Sequence, residues 1–260
     1  MTYETLKFEV ADGVATLTLN RPDAVNAMNR AMMLDLFAVA QRCDADDAIR
    51  AVVLNASGKM FCAGGDLKEF GAQGDAMPAF ITEVATYLHA AVTRFQRMDA
   101  PLVIAVNGMA AGAGISLVAS GDVVIASDEA AFTCAYTAAG ITPDGSSTYF
   151  LAKHVGLMRA KELVLTNRRL SAQEALERGL VTRVVPADQL LSEAQALAVQ
   201  FASGPTKAFG GAKRLLLSAY SGTLETQLED ESSSISKQVK DHDGREGIEA
   251  FAARRKPEFK

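Results

Sequence analysis

Asn107-Gly-Met-Ala-Ala-Gly-Ala-Gly-Ile-Ser-Leu-Val-Ala-Ser-Gly-Asp122 is the stretch on which the reading of this chain turns. It follows an apolar segment, Leu102 to Val106, with the pattern of a buried strand. Residues this small let one backbone come close to another, or to a ligand. A strand that passes through glycines into a helix also presents free N–H groups, because the first helical turn has no internal partners for them. The run is therefore a binding site made of main chain or a small-residue helix packed tightly in a core. It is not a dinucleotide fingerprint: Gly112-Ala-Gly114 could open one, but the third glycine position holds Leu117. No Walker-type Gly-Lys-Ser/Thr follows nearby.

A second loop of this kind lies upstream. Met60-Phe-Cys-Ala-Gly-Gly-Asp-Leu67 comes directly after the short strand Ala51–Leu54 and its turn, and on pattern alone it reads either as a ligand loop or as a plain turn. Ala79 to Arg97 then has amphipathic helical spacing, and Pro101 restarts the chain as a strand. Strand, glycine loop and helix thus recur in the same order, which predicts an α/β fold of stacked β-β-α units. Toward the N-terminus, Phe8–Val10 and Val14–Leu19 flank Asp12-Gly13 as a hairpin. Asn29 can cap a helix from Arg30 to about Arg42, in which Met33, Phe37 and Ala40 recur at helical spacing.

After Asp122, Val123–Ala126 and Ala131–Cys134 are strand candidates, Gly140–Gly145 is a turn, and Ser146-Ser147 starts a helix. Helical patterns then cover Ala160–Leu165, Ala172–Arg178, Ala187–Ala202, Pro205–Tyr220, Thr223–Lys240 and Arg245–Ala253. The change to all-helix near Ser203-Gly-Pro205 divides the chain into a core domain, 1–203, and a helical region, 204–260.

At 260 residues, 49% apolar and 22% charged, the composition is that of a globular protein with a sizeable core. A net charge of −5, with no basic block denser than Arg254-Arg255-Lys256, argues against a nucleic-acid partner. No apolar signal region or membrane-length apolar run occurs, so a soluble cytoplasmic protein is expected. Cys43, Cys62 and Cys134 form no C-x-x-C pair and read as reduced, buried thiols. His89, His154 and His242 are too dispersed to suggest a histidine metal site.

Several motifs, in order along nearly the whole chain, carry a family resemblance. They are Leu19-Asn-Arg-Pro22 with Asn26-Ala27, Phe61-Cys-Ala-Gly-Gly-Asp-Leu67, the run from Asn107 to Asp122, Leu165-Thr-Asn with Ala172-Gln-Glu-Ala175, Gly179-Leu-Val181, and Arg245-Glu-Gly247 with Phe251. Together they resemble the enoyl-CoA hydratase/isomerase (crotonase) family. The resemblance implies the ClpP-like crotonase spiral of repeated β-β-α units with a C-terminal helical trimerisation region. It also implies an acyl-CoA thioester as substrate.

In that family two main-chain N–H groups polarise the thioester carbonyl so that an enolate can form, and the resemblance assigns them to Ala63 and Ala113. It further implies substrate contacts from Val25, Ala27, Gly64, Gly65, Asp66, Leu67, Gly112, Ser116, Tyr136 and Phe251. Coenzyme A enters as part of the substrate, and no metal or redox cofactor is implied. The helices from about Pro205 onward resemble the family's trimerisation region, which implies a homotrimer or a dimer of trimers, and Leu215, Leu216, Ile235 and Val239, otherwise exposed on a lone chain, fit such an interface.

The family's hydratases hold water between two glutamates, and the matching positions here are Ser116 and Tyr136, neither of them a carboxylate. Asp144, in Ile141-Thr-Pro-Asp-Gly-Ser-Ser147, stands where many of the family's isomerases carry one acidic residue after proline. A single base suits a double-bond shift from the 3 to the 2 position, or the opening of a ring epoxide, as in the phenylacetate-pathway isomerases that Ala105–Gly114 and Thr226-Gln-Leu228 resemble most. The alternatives are a hydratase-type lyase, a 4-chlorobenzoyl-CoA-type dehalogenase and a non-catalytic acyl-CoA- or RNA-binding relative. The dehalogenases use an aspartate at the Asp144 position as nucleophile, a tryptophan where this chain has Tyr136, and a histidine at the position matched here to Thr93, one turn from His89.

Overall fold

The computed structural model describes residues 2–260. In chain order its strands are β1 (Leu6–Ala11), β2 (Val14–Leu19), β3 (Ala51–Ala56), β4 (Leu102–Val106), β5 (Met109–Ala111), β6 (Val123–Ser127), β7 (Ala131–Thr133), β8 (Leu170–Ser171) and β9 (Arg183–Val185). The helices of the first half are α1 (Arg30–Ala45), α2 (Leu67–Gly71), α3 (Met77–Arg97), α4 (Ala113–Ala119) and α5 (Ser147–Val155). Those of the second half are α6 (Leu157–Thr166), α7 (Ala172–Glu177), α8 (Leu190–Ala202), α9 (Thr206–Ser218), α10 (Leu224–Gln238) and α11 (His242–Ala252).

The expected hairpin forms, with β1 antiparallel to β2 around Asp12-Gly13. From β2 onward the large sheet is parallel, in the order β1-β2-β3-β4-β6-β9. Parallel neighbours need a crossover, and each crossover here passes through a second, smaller layer before reaching its helix. After β2, Met28 bridges to Gly65; after β3, Cys62 bridges to Ala110; after β4 comes β5, which pairs with β7, the strand that follows β6. Every turn of the chain thus places one strand in the large sheet and a few residues in the small layer. This is the β-β-α spiral of the crotonase fold.

Local chemistry fixes the turns of the spiral. The Asn29 side chain accepts the Met32 N–H and caps α1, which buries Met33 and Ala40 on its inner face. Asn26 is 1% exposed, and its amide bonds the carbonyls of Ser57 and Met60 while its carbonyl accepts the Arg21 N–H. That buried amide welds the first turn of the spiral to the second, which explains the Asn26-Ala27 motif. The glycines of the central run allow backbone to touch backbone: a Cβ at Gly114 would lie 2.5 Å from the Cys62 carbonyl oxygen.

One core lies between the large sheet and helices α1 and α3, and it contains the largest buried aromatics, Phe61, Phe95 and Phe132. A second core lies on the opposite face of the sheet, where α8 covers Val53, Val103 and Ile125. Helix α9 is tied to the spiral by Lys213. Its ammonium lies 2.7 Å from the Asp122 carboxylate and donates to the carbonyls of Phe95 and Ala100.

Four elements leave no signature in the sequence, one of them β5 inside the small-residue run. Strands β8 and β9 are too short to show alternation, and α2 is hidden in the loop after Asp66. Among the described residues no helix is long and apolar enough to cross a membrane. All three cysteines are free and buried, and burial pushes the Cys43 and Cys62 thiols up to about 12.

Candidate active site

A cavity of about 650 Å³ lies where the small layer meets α3. One end is backbone, from Ala63, Gly64, Gly65, Gly112 and Ala113. Its long wall is the inner stripe of α3, where Ile81, Val84, Ala85 and Leu88 follow helical spacing, and Phe70 and Met33 flank it. Tyr136, Ala139, Ile141, Thr142 and Asp144 form the wall opposite. Asp144 is the one carboxylate in this lining among the described residues.

The backbone end decides which N–H groups can meet a ligand. The Ala113 N–H opens α4 and has no hydrogen-bond partner among the described residues. Gly112, at φ 51°, turns the chain so that this group stands clear of β5. Ala63 does not match the sequence expectation. Its N–H donates to the Val25 carbonyl at 3.1 Å, so that donor is already engaged.

The free group on this loop is the N–H of Gly65. On either side of it the Gly64 carbonyl accepts from Met28 and the Asp66 N–H donates to Met28, so both point toward the first turn of the spiral. In an extended segment successive residues face opposite sides. The Gly65 N–H therefore points away from Met28 and has no partner among the described residues. Gly64 and Ala113 are in close contact there, since a Cβ on Gly64 would lie 3.4 Å from the Ala113 nitrogen. The hydrogen bonding thus overturns Ala63 as a donor and leaves Gly65 and Ala113 as the unpartnered N–H groups at this end of the cavity.

At the other end, two hydroxyls and one carboxylate form a closed set. The Tyr136 hydroxyl donates to Asp144 Oδ1 at 3.0 Å. Ser116 Oγ lies 2.9 Å from the Tyr136 oxygen and 2.9 Å from the Asp144 carbonyl, fully buried beneath the cavity. Burial first, then the Asp144 charge, pushes the Tyr136 phenol far above its ordinary range. Asp144 Oδ2 faces His89 Nε2 at 3.6 Å. That nitrogen also accepts the Gly145 N–H at 3.2 Å, which holds the imidazole against the Asp144 loop. The carboxylate keeps about a third of its surface open to the cavity, with Oδ2 free of a hydrogen-bond donor.

The other expected site residues divide clearly. Leu67 lines the cavity mouth. Val25 stays outside the cavity, holding Ala63 with its carbonyl at a strained φ of 50°. Ala27 also lies outside, its carbonyl taken by the Arg21 guanidinium. Asp66 caps α2 through the Glu69 N–H and pairs with Arg21 at 3.1 Å, so its role is structural within one chain. Phe251 is 87% exposed on α11 and does not reach the cavity of its own chain. His89 is the residue that motif matching passed over. Thr93, aligned with the dehalogenase histidine, faces a different depression, and His89, one turn earlier on α3, is the residue that meets Asp144.

Comparison with known proteins agrees with this architecture. The enoyl-CoA hydratase/isomerase family model matches residues 9–260. The 1,2-epoxyphenylacetyl-CoA isomerase of Escherichia coli is 38% identical over 258 residues, covering 98% of both chains. A 4-chlorobenzoyl coenzyme A dehalogenase of Arthrobacter is 35% identical over 232 residues, covering 88% of this chain and 84% of that one. The crystal structure of an enoyl-CoA hydratase from Polaromonas superposes with a TM-score of 0.93 at 32% identity, over 98% of this chain and 99% of the other. With a spiral of this topology, two unpartnered main-chain donors at one end of the cavity and motifs matched along its length, the chain belongs to the enoyl-CoA hydratase/isomerase family.

Proposed function

We propose that the protein is an acyl-CoA isomerase that works through a thioester enolate, with the N–H groups of Gly65 and Ala113 on the thioester oxygen and Asp144 as the single acid/base. The observation that carries this reading is that Asp144 is the only carboxylate in the cavity lining among the described residues, with Oδ2 open to that cavity. In a 3-enoyl thioester Asp144 takes a proton from C2, and the C–H electron pair moves toward the carbonyl oxygen to give a dienolate. The same carboxyl returns the proton to C4 as the carbonyl reforms, leaving the double bond at C2–C3. Donors fixed before the reaction stabilise the oxyanion without reorganising, and in most catalysis of this kind nothing else lowers the barrier as much.

A ring epoxide of phenylacetyl-CoA fits the same reading, with ring opening following proton abstraction, and the identity to the epoxyphenylacetyl-CoA isomerase supports it. Hydration fits less well. The two positions that would hold the catalytic water carry Ser116 and Tyr136, whose hydroxyls are engaged with each other and with Asp144. No cofactor beyond the coenzyme A of the substrate is required. The test is exchange of the α-protons of phenylacetyl-CoA with deuterated water, followed by NMR. The wild type is expected to exchange them; a protein that binds the thioester without exchange refutes the enolate.

His89 beside Asp144, together with the identity to a 4-chlorobenzoyl-CoA dehalogenase, supports a second reading. There Asp144 attacks the ring carbon bearing chlorine, chloride leaves, and water deprotonated by His89 hydrolyses the aryl ester. Chloride release from 4-chlorobenzoyl-CoA distinguishes the two.

The same family resemblance supports a homotrimer of cytoplasmic subunits. Leu216, Leu224, Leu228 and Ile235 are more than half exposed on α9 and α10, the apolar surface that a partner copy would cover, while Leu215 is half-buried within the chain.

A further inference from the structure

The acyl cavity stops abruptly along α3. Its lining on that helix runs from Ile81 to His89, about 12 Å at the α-helical rise. One turn further, Val92, Thr93 and Gln96 line a different cavity, of about 420 Å³. The opposite wall changes over at the same level: Asp144 faces the first cavity, and Ser146 and Phe150 face the second. Only Gly145 lies between them.

That partition is tight. The Gly145 N–H donates to His89 Nε2 at 3.2 Å, which locks the loop to α3. A Cβ at Gly145 would lie 3.1 Å from both Leu88 Cδ2 and Ser116 Cβ, so the chain there is in contact on two sides. Leu88 is 1% exposed and fills the angle between loop and helix. Beyond it, Val92, Phe150 and Leu217 give the second cavity an apolar side.

We propose that the wall of Leu88, His89 and Gly145 sets the acyl specificity. The protein takes compact acyl groups, a single ring or a short chain, and rejects long linear chains, because the space they need lies beyond Leu88. This rests on the acyl-CoA reading of the site and names the substrate class within it. Leu88 is the determinant, because it lines the first cavity and its Cδ2 stands against Gly145, the residue between the two linings, so shortening it is expected to open the first cavity toward the second.

The test uses saturated thioesters, which undergo no double-bond shift: calorimetric titration with butyryl-, phenylacetyl- and dodecanoyl-CoA. The wild type is expected to bind the first two and to bind dodecanoyl-CoA about tenfold more weakly or worse, the scale on which apolar pockets discriminate. Leu88→Ala, with Leu88→Val as the milder change if the first fails to fold, is expected to raise dodecanoyl-CoA affinity relative to butyryl-CoA by about tenfold. Adding Leu217→Phe, which refills the second cavity, should cancel that gain. Equal binding of all three thioesters by the wild type overturns the proposal, as does a gain that survives Leu217→Phe or no gain in a folded Leu88 variant. If no thioester binds to any form, the acyl-CoA reading falls and this proposal with it.

Discussion

Tyr136 gives its hydroxyl hydrogen to Asp144 Oδ1, across 3.0 Å, so the carboxylate has one oxygen anchored and the other free. In the proposed mechanism this gives the base a defined direction of attack, with Oδ2 the atom left to accept a proton. Replacing Asp144 by Asn keeps the size and the loop but removes the proton acceptor. Isomerisation of a 3-enoyl-CoA is expected to fall by about 100-fold or more, the usual worth of a general base. Thioester binding should change little. Wild-type turnover by a folded Asp144→Asn protein would remove Asp144 from the mechanism.

The oxyanion assignment predicts opposite outcomes for two substitutions at one position. Ala113 is the first residue of α4, where proline is tolerated because its missing N–H has no helical partner. Ala113→Pro should therefore fold yet lose about 3 kcal/mol of transition-state stabilisation, seen as a fall in kcat. Ala113→Gly keeps the donor and should retain most activity. Circular dichroism recorded beside the assay separates lost chemistry from lost structure.

Tyr136 should also resist titration. Its pKa lies far above that of a free phenol, mainly through burial, so the native state holds this proton more tightly than the unfolded chain. The stability gained this way is present below the unfolded value of about 10 and is lost as pH rises through the folded one. Spectrophotometric titration should show one tyrosine protonated until the protein unfolds in alkali. Tyr136→Phe should leave the number of tyrosines that titrate before unfolding unchanged; a drop by one would contradict the assignment.

Lys213 anchors α9 beneath the sheet. Burial lowers its pKa and raises that of Asp122, and both directions indicate that desolvation outweighs the pairing. Removing one member of such a pair leaves the other charged and alone, a loss of about 3 to 5 kcal/mol. Lys213→Met is expected to lower the urea midpoint accordingly. The double variant with Asp122→Asn should recover part of the loss.

In solution the proposed trimer should be visible by light scattering at micromolar concentration. Lysine at both Leu228 and Ile235, exposed on one helix, is expected to shift the mass toward the monomer. A monomeric wild type would refute the assembly.

The spiral was legible in the sequence because its repeat is local: apolar strand, small residues, helix, written out around Met60–Leu67 and again around Leu102–Asp122. The donors were legible only in part. Ala113 was assigned by the family resemblance, and its N–H is free because it follows Gly112 at a helix start. The choice between Ala63 and Gly65, however, depends on hydrogen bonds to Val25 and Met28 in another turn of the chain, which no local pattern records. His89 was obscured for a related reason: which turn of a long helix faces Asp144 is decided by how α3 packs on the core.

The Met28–Gly65 and Cys62–Ala110 bridges also bear on how the protein comes to life on the ribosome. Neither donor is aimed at anything until successive coils of the spiral have closed on each other, and Asp144 arrives later in translation than both. Parallel pairing joins residues far apart in sequence, so closing these contacts costs loop entropy beyond that of a hairpin. The two free N–H groups and Asp144 therefore share one cavity only once residues 28 to 144 have paired across successive coils, and any shorter stretch of the chain lacks the assembled site.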